Sequence, residues 1–118
     1  MSNKLRPKSS NQPALPADCP LEEILELLAG AWTAKILWYL RAGPRRFGDL
    51  RRDLGEVSTK VLTARLRAME DNAIVCRTVL PGRPMQVEYS LTTTGRELEP
   101  ILDCMEVVAR RLRTVESG

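Results

Sequence analysis

Between residues 47 and 91 the apolar positions fall into three successive patterns. Phe47, Leu50 and Leu54 stand at spacings of three and four, the period of one helical face. Gly55-Glu56-Val57 breaks that pattern. Ser58 then offers a hydroxyl to an otherwise unpaired backbone N–H, as a helix N-cap does. Leu62, Leu66, Met69 and Ala73 follow at spacings of four, three and four, which predicts a second helix over Ser58 to Asn72. Two short helices joined by a three-residue turn that contains Gly make a helix-turn-helix. The period then changes. Ile74 to Leu80 is rich in β-formers, and Pro81-Gly82-Arg83-Pro84 signals a turn. Met85 to Leu91 alternates, with Val87, Tyr89 and Leu91 on one face and Gln86, Glu88 and Ser90 on the other. Helix, turn, helix and hairpin in this order predict a winged helix-turn-helix, mainly α with a small β-hairpin.

Two helices precede this unit and one follows it. Leu21, Ile24, Leu25 and Leu28 form the apolar face of a first helix that begins at Cys19-Pro20 and ends near Gly30. A second helix, from about Ala31 to Arg41, takes its core face from Trp32, Ile36, Tyr39 and Leu40. Leu37 and Trp38 widen that face, so burial on more than one side is expected. Gly43-Pro44 ends it. After Leu91 a Thr in Thr92-Thr93-Thr94 can cap a last helix, at about 93–115. There Leu98, Ile101, Met105, Val108, Leu112 and Val115 repeat at alternating spacings of three and four, a coiled-coil seam. Pro100 removes a backbone donor, so a bend or restart is expected at that point. An apolar face of this length at the end of a small domain calls for the same helix of a second copy. Leu98, Ile101, Met105, Val108 and Leu112 are therefore the expected homodimer interface. Residues 1–17, with Pro7, Pro13 and Pro16 and little apolar content, read as a disordered tail, which leaves 18–118 as one domain.

Charge sharpens the reading of the helix at 58–72. Its outer face carries Lys60, Thr63, Ala64 and Arg67, with Thr59 near the N-terminal end. Small, hydrogen-bonding and cationic residues of this kind suit a helix pressed into a DNA major groove. The chain carries a net charge of only +3, yet residues 41–83 hold ten basic and five acidic side chains. The excess coincides with the helix-turn-helix and its hairpin, the footprint of a nucleic-acid binder. Arg83, held between Gly82 and Pro84, is placed to reach a minor groove or a phosphate. Arg45 and Arg46 lie near a phosphate in the same reading or are simply solvated. Arg65 points toward the edge of the buried seam, where an intramolecular ion pair is expected.

Other chemistries find little support. The chain has no histidine, which removes the commonest general base and metal ligand. Its three cysteines, at 19, 76 and 104, are odd in number and none are spaced as Cys-x-x-Cys, so neither a disulfide framework nor a zinc site is indicated. No Gly-rich phosphate loop or Gly-x-Ser-x-Gly elbow is present. An enzyme is not expected, nor any cofactor. No run approaches the roughly 20 apolar residues of a membrane span, and no apolar signal core opens the chain, so a cytoplasmic location is expected. Cys19 is the candidate redox sensor, because a helix N-terminus favours a thiolate. Asp18, Glu22 and Glu23 oppose that ionisation. Cys76 reads as a packing residue, and Cys104 flanks the dimer seam.

With these pieces placed, the chain resembles the HxlR-type regulators, small bacterial winged-helix transcription factors related to the MarR group. The resemblance runs from about Cys19 to Leu112. Cys19-Pro20, Gly30, Trp32, Ile36-Leu37, Gly43-Pro44 and Arg46-Phe47 carry its first half. Leu50-Arg51-Arg52, Ser58, Leu62-Thr63, Leu66-Arg67, Val87 to Thr92 and Gly95 carry the rest. Family members often have Lys before the Trp, where this chain has Ala31. The resemblance implies a homodimer on a roughly twofold-symmetric operator in double-stranded DNA. It implies DNA contacts from Ser58, Thr59, Lys60, Thr63 and Arg67 on the recognition helix and from Arg83 on the wing. It also implies oxidant or electrophile sensing at Cys19. The rival reading is a winged-helix protein-interaction module without specific DNA binding.

Overall fold

The computed structural model describes residues 21–117, so Cys19 and the tail at 1–17 lie outside the described residues. In chain order the elements are α1 (Leu21–Ala29), α2 (Thr33–Leu40), β1 (Arg45–Arg46), α3 (Phe47–Leu54) and α4 (Thr59–Asp71). They continue with β2 (Val75–Leu80), β3 (Gln86–Leu91), α5 (Thr93–Arg96) and α6 (Glu99–Ser117). The fold is the winged helix-turn-helix that the sequence pattern predicts. One strand is added: β1 pairs with β3, Arg45 opposite Tyr89, which gives a three-stranded antiparallel sheet in the order β1-β3-β2.

The core gathers on α2, α3 and α4. Ile36, Leu37, Leu40, Leu50, Leu62 and Met69 are completely buried. Thr33 joins them, and Val75, Tyr89, Leu91, Leu98 and Leu102 close the cluster from the sheet and the start of α6. In α2 the buried face is narrower than the pattern of large residues suggests. Ile36, Leu37 and Leu40 lie within about 100° of one another on a helix that turns 100° per residue. Trp38 and Tyr39 fall outside that sector and are exposed. Trp38 lies instead beneath Arg41, whose guanidinium carbon stands 4.8 Å from the ring centroid. Similarly, α1 turns Ile24, Leu27 and Leu28 toward the core, while Leu21 and Leu25 face outward.

Caps and left-handed residues set the joints. Ser58 Oγ accepts a hydrogen bond from Val61 N at 3.1 Å, which fixes the start of α4. Gly55 turns the chain between α3 and α4 with φ of 84°. At the far end of α4, Ala73 adopts φ of 61° and is exposed, so the stripe predicted to include it stops at Met69. Thr92 caps α5 by accepting from Gly95 N at 2.9 Å. Its hydroxyl also lies 2.6 Å from the carbonyl oxygen of Ala73. The chain then restarts as α6 with Pro100 in the first turn, where a missing N–H breaks no helical bond.

Within α6 the seam divides. Leu98, just before the helix, is 5% exposed and belongs to the chain's own core, as does Leu102, so Leu98 is not left for a partner. Ile101 is half-buried against that core. From Asp103 to Thr114 every residue except Glu106 is exposed, including Met105, Val107, Val108 and Leu112. No helix among the described residues is long and apolar enough to cross a membrane.

Candidate nucleic-acid interface

The start of α4 projects from the body of the fold. Ser58, Thr59 and Lys60 are exposed, and so is Val61, an apolar residue on the same turn that the sequence pattern does not single out. Thr59, Thr63 and Arg67 are spaced by four and therefore share one stripe. The seam of Leu62, Leu66 and Met69, about 90° round the helix from that stripe, anchors α4 in the core. Ser58 plays a structural part as the cap, and its exposed hydroxyl keeps a proton to donate outward.

The stripe forms one wall of a groove of about 450 Å³. Thr59, Thr63, Arg67 and Glu70 line it from α4. Phe47 lines it from α3, and Arg77, Val87 and Tyr89 from the sheet. The hairpin register explains the sheet wall. Val75 pairs with Leu91, Arg77 with Tyr89 and Val79 with Val87, so these six side chains share one face. The buried end of that face packs on α4, and its outer end leaves Arg77 and Val79 exposed. Burial raises the Tyr89 phenol pKa above its usual value. Arg77 opposes the shift, Glu70 adds to it and Arg67 opposes it. The phenol is thus a proton donor at neutral pH.

Arg83 does not join the groove. It is exposed in the 81–85 turn at the end of the hairpin, next to Gly82 at φ of 145°. The six DNA-contact residues expected from the sequence therefore fall into two places. Ser58, Thr59, Lys60, Thr63 and Arg67 stand on α4, and Arg83 stands alone on the wing. Arg77 and Tyr89 are the groove residues that the sequence reading missed. The alternation of β3 marks Tyr89 as inward-facing, but only the hairpin register sets Arg77 opposite it.

Three other cations of this region have carboxylate partners. Arg45 Nε donates to Asp53 Oδ2 at 2.8 Å, which ties β1 to α3 and turns that guanidinium toward the fold. Arg52 pairs with Asp49 and Arg41 with Asp103. Arg46 and Arg51 are exposed. The ion pair expected for Arg65 is not formed among the described residues. Its Nε is buried without a hydrogen-bond partner, and its guanidinium covers Gly30. Glu23 and Glu26 line the same depression at a distance beyond an ion pair.

The cysteines and the apolar seam complete the inventory. Cys76 is exposed rather than packed, because its position in β2 pairs with Ser90 on the outer face of the hairpin. Its Sγ lies 3.1 Å from Ser90 Oγ. Cys104 is exposed and lines an open trough with Ile101, Met105, Val108 and Leu112. Among the described residues no three His, Cys, Asp or Glu side chains cluster as metal ligands would.

Comparison with known proteins agrees with this fold. A family model described as HxlR-like helix-turn-helix matches residues 27–116. An uncharacterised HTH-type transcriptional regulator of Synechocystis is 45% identical over 87 residues, covering 74% of this chain and 64% of that protein. The HTH-type transcriptional regulator YodB of Bacillus subtilis is 37% identical over 92 residues, covering 77% of this chain and 82% of YodB. The match thus spans just under two thirds of the Synechocystis protein. Among solved structures, the redox regulator HypR in its reduced form superposes with a TM-score of 0.77 at 36% identity, covering 85% of this chain and all of HypR. Reduced YodB superposes with a TM-score of 0.71 at 37% identity, covering 77% of this chain and 90% of that one.

Proposed function

The chain belongs to the HxlR-like helix-turn-helix family, and on that premise we propose that it is a sequence-specific, DNA-binding transcriptional regulator that works as a homodimer. It is a regulator and not an enzyme. The observation that carries the reading is the stripe of Thr59, Thr63 and Arg67 on an α4 whose adjoining face is locked into the core. A helix so held can enter a major groove as a rigid body. Lys60, Thr63 and Arg67 then select bases, while Ser58, Thr59 and Arg83 meet the backbone or the flanking minor groove.

The homodimer rests on the open trough of Ile101, Met105, Val108 and Leu112, a stripe on which no charged residue falls. Leu21 and Leu25, exposed on α1, add apolar surface for a partner. Two copies joined in this way carry two recognition helices to successive major grooves of a roughly twofold-symmetric operator. The interior of a bacterial cell, where the DNA is, is the matching location.

Cys19 is the proposed sensor of oxidants or electrophiles. HypR is named a redox regulator, and YodB is solved both reduced and after diamide treatment. Modification of Cys19 would shift the spacing between the two recognition helices. A Cys19→Ser variant whose DNA binding still responds normally to oxidant removes this part of the proposal.

Fluorescence anisotropy tests the whole reading. Reduced protein is titrated into a duplex from upstream of its own gene and into a scrambled duplex, at two salt concentrations. Tight binding to the first duplex, weakening steeply with salt, is expected. Arg67→Ala should then cost about 1–3 kcal/mol on that duplex and relax specificity. Feeble, nearly salt-independent binding, both to these duplexes and to any selected from a random pool, would favour the protein-interaction module instead.

A further inference from the structure

We propose that the groove between α4 and the sheet seats one phosphodiester strand of the bound duplex, with Arg77 as a phosphate contact and Glu70 as a built-in opposing charge. The inference rests on the DNA-binding reading above and deepens it.

The topology supplies the first argument. If α4 lies in a major groove and the tip bearing Arg83 lies at the adjacent minor groove, one sugar-phosphate strand separates the two. That strand must pass between helix and wing. The space between them is the groove lined by Thr59, Thr63, Arg67, Arg77 and Tyr89.

The chemistry of the walls supplies the second. Arg67 projects from the helix and Arg77 from β2, so cations approach from opposite sides. Both are exposed, and neither forms an ion pair among the described residues. Arg45 and Arg52, in contrast, are tied to Asp53 and Asp49. The Thr59 and Tyr89 hydroxyls add donors on the same surface, of the kind that bind phosphate oxygens. The floor of Phe47 and Val87 is apolar and suits the sugar edge.

Glu70 is the discordant member. It lines the same groove and lies near enough to Tyr89 to act on its phenol together with both arginines. A carboxylate there repels a phosphate strand and lowers affinity for every duplex alike. Such a charge weakens binding without touching a base, so it lowers specific and non-specific affinity together and leaves their ratio unchanged.

The two residues make opposite predictions on a random-sequence 30-base-pair duplex titrated by anisotropy across a range of salt concentrations. Arg77→Ala should weaken binding to this duplex and to the upstream duplex by the same factor. It should also flatten the slope of log K against log salt by about 0.9 per subunit. Arg77→Lys should recover most of that slope, which a purely structural role would not allow. Glu70→Gln should tighten binding to both duplexes equally. An Arg77→Ala protein with unchanged slope, a loss confined to one sequence, or a Glu70→Gln protein no tighter than wild type would each overturn the proposal. Wild-type protein with no salt-dependent binding to either duplex would overturn the DNA-binding reading itself, and this proposal with it.

Discussion

Gly95 lies against the backbone of Ile74, so closely that a Cβ at position 95 would stand 2.2 Å from the Ile74 carbonyl oxygen. That oxygen is already in use, accepting from Thr92 N at 3.0 Å. The joint therefore docks the first turn of α5 onto the entrance to β2. It leaves no side-chain room, and the opposing atom is backbone that cannot swing away. Gly95→Ala should destabilise the fold by about 1–3 kcal/mol, as overpacking of a close contact does. Urea unfolding measures this as a lowered midpoint with an unchanged slope. A midpoint equal to that of wild type would mean that α5 docks more loosely than this contact implies.

Ser58 has two separable duties. Its Oγ accepts from Val61 N, and its exposed position puts the same group at the leading end of α4. Ser58→Ala should lose about 1 kcal/mol of stability together with DNA affinity. Ser58→Asp keeps a capping oxygen and adds a negative charge at the positive end of the helix. It should retain thermal stability while DNA affinity falls, because the carboxylate faces phosphate. If Ser58→Asp binds the upstream duplex as tightly as wild type, the residue serves the fold alone.

Tyr89 predicts an alkaline limit to stability. Its phenol pKa is raised, chiefly by burial, with Arg77 opposing, Glu70 adding and Arg67 opposing. Below about pH 10, the ordinary value for tyrosine, the phenol is protonated in both folded and unfolded chains and contributes no pH dependence. Above that value the unfolded chain loses the proton first. Stability is therefore lost as pH rises from about 10 through the higher folded pKa. Tyr89→Phe should flatten the fall in melting temperature over this range relative to wild type. An unaltered alkaline profile in the variant would mean that the phenol does not carry the effect.

Much of this architecture is legible in the sequence because local rules and burial agree. Leu62, Leu66 and Met69 repeat with the helical period, and all three are buried. Val87, Tyr89 and Leu91 alternate and face inward to graded depths. The misreadings arise where residue type and geometry part company. Trp38 and Tyr39 are large and partly apolar, yet an eight-residue α2 has one buried sector and they lie outside it. β1 is two arginines, and only its pairing to β3 makes it a strand. Arg77 looks like an ordinary surface cation until hairpin register sets it opposite Tyr89 and across from Arg67. Cross-strand and interelement placement of this kind is absent from any single window of sequence.

The same limit explains the division of α6, and it yields a paired prediction. A strict seam of alternating spacings treats Leu98, Met105 and Val108 alike. In the fold, Leu98 is 5% exposed, whereas Met105 is 44% and Val108 47% exposed. The helix leaves the protomer surface after its first turns, so its apolar stripe changes from core to open trough near Asp103. Leu98→Ala removes buried methyl groups and should lower the stability of each protomer by about 2–5 kcal/mol. Met105→Glu and Val108→Glu should act differently. Each places a carboxylate on a face that a second copy would have to desolvate beside its own symmetry mate, so association is lost while helical content is kept. Sedimentation velocity over a hundredfold dilution, read beside far-ultraviolet circular dichroism, separates the two effects. Wild type should sediment as a dimer and the two glutamate variants as folded monomers. A Val108→Glu protein that still sediments as a dimer would move the subunit interface off this trough, with exposed Leu21 and Leu25 of α1 the next surface to substitute.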